Sequence, residues 1–235
     1  MPTGRKKSPG GSSHSPVGNA QPGRRRNERP RTVRRFAQGK GGTSETSAPL
    51  AEGTLRVLAL DSSSRACGWS VFDDGKLAGY GHYRQQGKGH AERLVNFRLW
   101  LLDMFARWAP AEVVYEVPFQ SRNSHAFGVL TKYVAAIEIA HFEYKGEEVP
   151  EENAIVAHAV KKAIKAPKPQ TGKKKTHDAN KKIVLLMVNE HFGLNLKFKA
   201  NDTTKSVSQD DDADAIALNW AWHIRRARNE REVLD

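Results

Sequence analysis

The run LRVLAL at residues 55–60 is apolar except for Arg56 and stops at Asp61. A short apolar run of this kind is suited to a buried strand rather than to a surface helix. Residues 68–72 and 77–83 read as two more strands, joined by Asp73-Asp74-Gly75-Lys76, whose Asp-Gly step signals a hairpin. Three strands therefore open the folded part as a meander. Over 91–108, Leu94, Phe97, Leu101, Leu102 and Phe105 recur at helical spacing. Residues 113–117 then form a strand with Glu116 near its end, and 124–142 a second helix. A strand is expected over 154–159, a helix over about 179–192 and a last helix over about 210–226. The order βββαβαβαα predicts an α/β domain with a mixed sheet flanked by helices.

Upstream of this pattern the composition changes. Residues 1–53 carry 11 Lys and Arg against 3 Asp and Glu, a net of +8, with Pro, Gly and Ser throughout and few large apolar side chains. Such a segment cannot bury enough surface to offset the entropy of ordering it. It is read as a disordered basic arm, with Arg24, Arg25, Arg26, Arg29, Arg31, Arg34 and Arg35 as its phosphate-seeking stretch. A solubilising extension or an Arg-rich organellar presequence is the competing reading. The organisation expected is an arm over 1–53, one folded domain over 54–228 and a short tail over 229–235.

The whole chain of 235 residues has a net charge of +12, so an anionic partner is expected. Its one cysteine, Cys67, rules out an intramolecular disulfide and makes a cysteine-ligated zinc site unsuitable; a small buried hydrophobe is the simplest role. No run of about 18 apolar residues occurs and the N-terminus has no apolar h-region, so no membrane span or secretory signal is indicated. A reducing, cytoplasmic setting is expected.

Against this positive charge, the placement of acids needs a reason. Asp61 and Glu116 each close an apolar strand, which holds their carboxylates rigidly at the open end of the sheet. In the last helix Ala213, Ile216, Ala217, Trp220, Ala221 and Ile224 form one apolar stripe. At about 100° per residue Asp214 lies at its edge, Asp210 about 40° and Asp211 about 60° away, and Asp212 nearly opposite. Periodicity thus admits Asp214 with either Asp210 or Asp211 and predicts Asp212 to be exposed. Clustered carboxylates repel, and a divalent cation held against a phosphate removes that penalty.

The segments LALDSSSRACGWSVFDDG, VVYEVPF and DDDADAIALNWA together resemble the RuvC-like Holliday-junction resolvases, in particular the divergent phage-type members, within the RNase H-like superfamily. The likeness runs from Leu55 to about Arg226. Its D-x-x-D-A-x-A helix matches Asp211 and Asp214, choosing Asp211 over Asp210. The resemblance implies an RNase H-like mixed five-stranded sheet and a structure-selective endodeoxyribonuclease, cleaving four-way junctions with two Mg²⁺ ions per site, which Mn²⁺ can replace. Asp61, Glu116, Asp211 and Asp214 would be catalytic residues and metal ligands, no protein nucleophile would be needed, and the products would be ligatable nicks with 5′-phosphate ends. A homodimer is also implied, because paired nicks require two sites.

Residues 161–182 hold nine lysines, Lys161, Lys162, Lys165, Lys168, Lys173, Lys174, Lys175, Lys181 and Lys182, against Asp178. The family places a lysine near the start of the corresponding helix beside the scissile phosphate, and Lys174 or Lys175 is the candidate, with Lys175 preferred as catalytic. Lys161, Lys162, Lys173 and Lys174 are expected to contact DNA, with Arg24, Arg25 and Arg26 of the arm. Phe119 matches a family aromatic that enters the junction, where unpaired bases offer π-faces; a core position is its alternative. His82, His125, His158 and His177 lack the paired spacing of a helical zinc site.

Two other functional classes compete. Asp61-Ser62-Ser63-Ser64 followed by a glycine and a hairpin is also similar to the phosphate-binding hairpin of actin-like ATPases and sugar kinases, but those need two such domains. A catalytically idle branched-DNA scaffold on the same fold would be favoured by a missing carboxylate. Among nucleases, a broader branched-DNA or flap debranching activity is the alternative to junction resolution.

Overall fold

The computed structural model describes residues 51–119, 124–167, 177–198 and 209–234. The arm with Arg24, Arg25 and Arg26, and Lys173, Lys174 and Lys175, lie outside the described residues. Five strands, β1 (Arg56–Ser62), β2 (Ala66–Asp73), β3 (Lys76–Arg84), β4 (Glu112–Val117) and β5 (Ala154–Val156), form one sheet in the order β3-β2-β1-β4-β5. The meander pairs antiparallel, whereas β1–β4 and β4–β5 are parallel. The expected mixed five-stranded sheet is therefore present. At the β2–β3 hairpin Asp74 and Gly75 have φ of 48° and 79°, the two consecutive positive values that an Asp-Gly turn supplies.

Five helices cover the sheet: α1 (His90–Trp108), α2 (Ser124–Lys145), α3 (Ala157–Ala163), α4 (His177–Phe192) and α5 (Asp210–Leu234). Two elements depart from the sequence expectation. The strand expected over 154–159 stops at Val156, because Val160 and Ala163, at helical spacing, turn the chain into α3 and bury themselves against the core. Helix α5 runs on through Leu234, beyond the expected end near Arg226, so residues 229–234 continue the helix instead of forming a tail. Among the described residues no helix is long and apolar enough to cross a membrane.

The two faces of the sheet are separated by the period-two alternation of strand side chains. Val57 and Ala59 of β1, Phe72 of β2 and Val114 of β4 pack with α3, α4 and α5. Leu58 and Leu60, Val71 and Val113 and Tyr115 face the other way, against α1 and α2. Arg56, buried within the apolar run, is held by a two-pronged ion pair. Its Nε and Nη2 donate to Asp73 at 2.6 and 2.7 Å, and Nη1 donates to the Trp108 carbonyl at 2.9 Å. Each of the three guanidinium nitrogens thus meets an acceptor, which helps an arginine lie in a core.

Candidate active site

Strand parity decides which polar side chains meet α5. Asp61 follows Val57 and Ala59 onto the α5 face of β1, and Glu116 follows Val114 onto the same face of β4. Leu60 pairs with Tyr115 in the parallel register, so the next residues, Asp61 and Glu116, stand side by side on neighbouring strands. In β2 the same parity presents Gly68 and Ser70 to α5, and in β3 it presents His82.

Helix α5 crosses this face closely because the sheet side is trimmed for it. A Cβ at Gly68 would lie 2.0 Å from the Asp211 carbonyl oxygen, so only glycine allows the approach. Ser70 Oγ donates to the Ala215 carbonyl at 2.8 Å, and Asn219 Nδ2 donates to the Val57 and Ser70 carbonyls at 3.0 and 3.2 Å. Ala213, Ala215 and Ala217 are all buried in this stretch. Asp211 and Asp214, half-buried, project from the first turns of α5 towards Asp61 and Glu116.

These four carboxylates feel one another. Burial raises the Asp61 carboxyl well above its ordinary value, and the charges of Glu116, Asp214 and Asp211 raise it further, with Lys181 opposing. Asp214 is pushed up to about 7 by burial, aided by Glu116, Asp210 and Asp211 and opposed by Lys181. Burial also raises Glu116 and Asp211; Lys161 and Lys181 pull Glu116 back, and Lys181 pulls Asp211 back. Burial is the first cause at all four, and charges from within the set add to it at Asp61 and Asp214.

Lys181, on the first turns of α4, was not singled out within the lysine-rich segment by its sequence. Burial alone would lower its ammonium, but a hydrogen bond to Asp210 and the fields of Asp210, Asp214 and Asp211 outweigh that and raise it. It is held cationic beside the acids. Asp210, which shared the favoured angular sector with Asp211, is the residue that carries Lys181.

Asp212 corrects the sequence expectation. Instead of pointing to solvent it is fully buried, and His82 Nδ1 donates to its Oδ1 at 2.9 Å. That bond raises the His82 imidazole, against the opposing effect of burial. The angular argument assumed one apolar stripe, whereas α5 is enclosed on nearly all sides between residues 212 and 219. His82 had a faint sequence signal, a polar residue sharing parity with Tyr80 on a strand whose faces are both covered.

The other candidates divide. Phe119 is 77 % exposed, so the core alternative does not hold for it. Lys161 and Lys162 are exposed on the last turn of α3, and Lys161 is close enough to act on Glu116. His125 and His158 are exposed, and Cys67 is buried as expected.

The donor set suits divalent cations in chemistry and charge. The four carboxylates supply hard oxygen ligands, and none of them accepts a side-chain hydrogen bond from another described residue. Among the described residues, however, no three acidic, histidine or cysteine side chains are gathered into a ready coordination shell, so these side chains would have to rotate to hold a cation together.

No protein-family model matches the chain, and no curated protein matches its sequence. Solved structures do. The chain is similar to Thermus thermophilus RuvC in complex with a Holliday junction substrate, with 23 % identity and a TM-score of 0.52 over 73 % of this chain and 96 % of that one. A second Thermus thermophilus RuvC structure gives 22 % identity and a TM-score of 0.50 over 74 % and 97 %. The fold is RuvC-like, as the sequence motifs implied.

Proposed function

We propose that this RuvC-like chain is a metal-dependent endonuclease that cuts four-way DNA junctions. The observation that carries the reading is the convergence of Asp61, Glu116, Asp211 and Asp214 at one face of the sheet, where burial raises all four carboxyls and the charges of the neighbouring acids raise Asp61 and Asp214 further. A buried excess of carboxylate is costly for a stable fold and useful for holding cations. That all four acids are present and brought together weighs against an idle scaffold. The RuvC likeness, one member of which is bound to a Holliday junction substrate, supports branched DNA as the ligand.

Asp61, Glu116, Asp211 and Asp214 would hold two Mg²⁺ or Mn²⁺ ions. When bound, such ions supply an activated water and charge stabilisation for phosphodiester cleavage. The chain's own residues do the rest. β1 and β4 fix Asp61 and Glu116 rigidly, and Lys181, steered by Asp210, presents a cation to the scissile phosphate's oxygens. Lys175 remains a second candidate for that role. Lys161 and Lys162 extend the positive surface along α3, where with Lys173, Lys174 and the arm's Arg24, Arg25 and Arg26 they would position the backbone without reading sequence. Phe119, exposed two residues beyond the strand that carries Glu116, would stack on an unpaired base. Ile139 and Phe142, 51 % and 55 % exposed on α2, offer an apolar surface for a second copy, which paired nicking needs.

Synthetic four-way, flap and linear duplex DNA should be incubated with Mg²⁺, Mn²⁺, Ca²⁺ or chelator. Symmetric paired nicks in the four-way junction with Mg²⁺ or Mn²⁺, and none with Ca²⁺ or chelator, are expected. Cutting of flaps in preference to junctions would replace resolution by debranching, and equal cutting of linear duplex would remove structure selectivity altogether.

A further inference from the structure

A buried histidine–carboxylate pair lies in the seam between α5 and the sheet, one residue along from Asp211. His82 and Asp212 are 4 % and 0 % exposed at their side chains, and Nδ1 donates to Oδ1 at 2.9 Å. Asp212 Oδ2 is buried without a hydrogen-bond partner, so His82 is the side chain that satisfies this carboxylate among the described residues. A buried pair is a poor way to gain stability, since apolar residues of similar volume often serve as well or better. Its value lies in direction.

The ties along α5 are unequally shared. Ser70 and Asn219 secure the helix from residue 215 onward, while Gly68 permits the approach of Asp211 without holding it. The first turn, from which Asp211 and Asp214 project, is drawn towards β3 by His82–Asp212 and towards α4 by Lys181–Asp210. Two opposed tethers one residue either side of Asp211 set the rotation of that turn about the helix axis.

We propose that His82 and Asp212 are a positioning pair for the metal ligands: their hydrogen bond fixes the first turn of α5 so that Asp211 and Asp214 address Asp61. The inference rests on the metal-dependent reading above. Neither residue touches substrate. Partners that orient metal ligands typically change metal affinity by about 10–100-fold when removed.

The test is calorimetric titration of the full chain with Mn²⁺ in the absence of DNA, alongside thermal unfolding and junction binding in chelator. His82→Ala should weaken Mn²⁺ binding by about tenfold or more while junction affinity in chelator stays within about twofold. Asp212→Asn, which can still accept from His82, should keep most of the wild-type affinity. The double variant His82→Ala with Asp212→Ala removes the stranded charge; it should recover thermal stability and still bind Mn²⁺ weakly. Should His82→Ala fail to fold, the double variant decides the matter alone. Wild-type Mn²⁺ affinity in the stable double variant would overturn the positioning role and leave the nuclease reading intact. A wild-type chain that takes up no Mn²⁺ would instead overturn the metal-dependent reading and this inference with it.

Discussion

Gly68 and Asp211 are in backbone contact: a Cβ on the glycine would fall 2.0 Å from the aspartate's carbonyl oxygen, with Ala215 Cβ a further 3.3 Å neighbour. The obstacle is main chain, which cannot rotate away. Gly68→Ala should therefore lift α5 off β2, costing about 1–3 kcal/mol as overpacking does and separating Asp211 from Asp61. Urea unfolding and Mg²⁺-dependent cleavage should both register the change. Gly128→Ala is the control: a Cβ there meets nothing within 4 Å in the interior of α2, and the helix should gain up to about 1 kcal/mol.

Asp61→Asn, Asp211→Asn and Asp214→Asn should each abolish cleavage and leave junction binding intact or tighter, because each removes a ligand charge and also a repulsion towards phosphate. Gel shifts in chelator and a nicking assay in Mg²⁺ separate the two effects. Asp210→Asn should lower the rate by loosening Lys181, without eliminating it. Complete inactivity of Asp210→Asn alongside an active Asp211→Asn would show that the ligand pair had been assigned one residue too late.

Lys181→Ala should reduce the cleavage rate by roughly a hundredfold or more, the scale of removing a preorganised charge from a transition state. Lys175→Ala, measured in parallel, distinguishes the two candidate lysines. If only Lys175→Ala loses activity, Lys181 serves the acids structurally and does not meet the phosphate.

Acid stability should run opposite to the common pattern. Asp214 has an ordinary carboxyl value of 3.8 when unfolded and about 7 when folded. Between these values the folded state binds the extra proton, so the chelated protein loses stability as pH rises from about 4 to about 7, by at most about 1.4 kcal/mol per pH unit for each such carboxyl. Thermal unfolding against pH in chelator should show that decline. Asp214→Asn should make it shallower, and Mg²⁺ should oppose it.

Removal of residues 1–52 takes away the whole net charge of +8 that the arm contributes, so DNA affinity should fall and log K should depend less steeply on log salt. Junction preference should survive, because phosphate contacts orient without selecting. An unchanged salt slope would show that the arm makes no contact with DNA.

Asp61 and Glu116 could be found in the sequence because each closes an apolar run, and the run itself announces the strand. The same local pattern gave the Asp-Gly hairpin at Asp74-Gly75. Asp212 departs from its helical-wheel expectation because a wheel assumes one neighbour and α5 has several: sheet on one side, α3 and α4 on others. Lys181 was hidden among similar lysines, since a charged residue carries no periodic mark of the acid it will face. His82 and Asp212 are 130 residues apart, and no local pattern joins them. α3 leaves no separate mark in the sequence because three strand residues and a seven-residue helix fall within one short stretch.

Val57 and Asn219 are hydrogen-bonded across 162 residues, joining the first strand of the domain to its last described helix. During synthesis, at roughly 5–20 residues per second, the ribosome would release the sheet some seconds before α5. Until then Asp61 and Glu116 lack Asp211 and Asp214, and the nascent chain holds only half of the acids it needs. If the proposed activity holds, a chain with basic segments would touch nucleic acid while still being translated without cutting it, and truncated products ending before α5 would be inert ligands for DNA rather than uncontrolled nucleases.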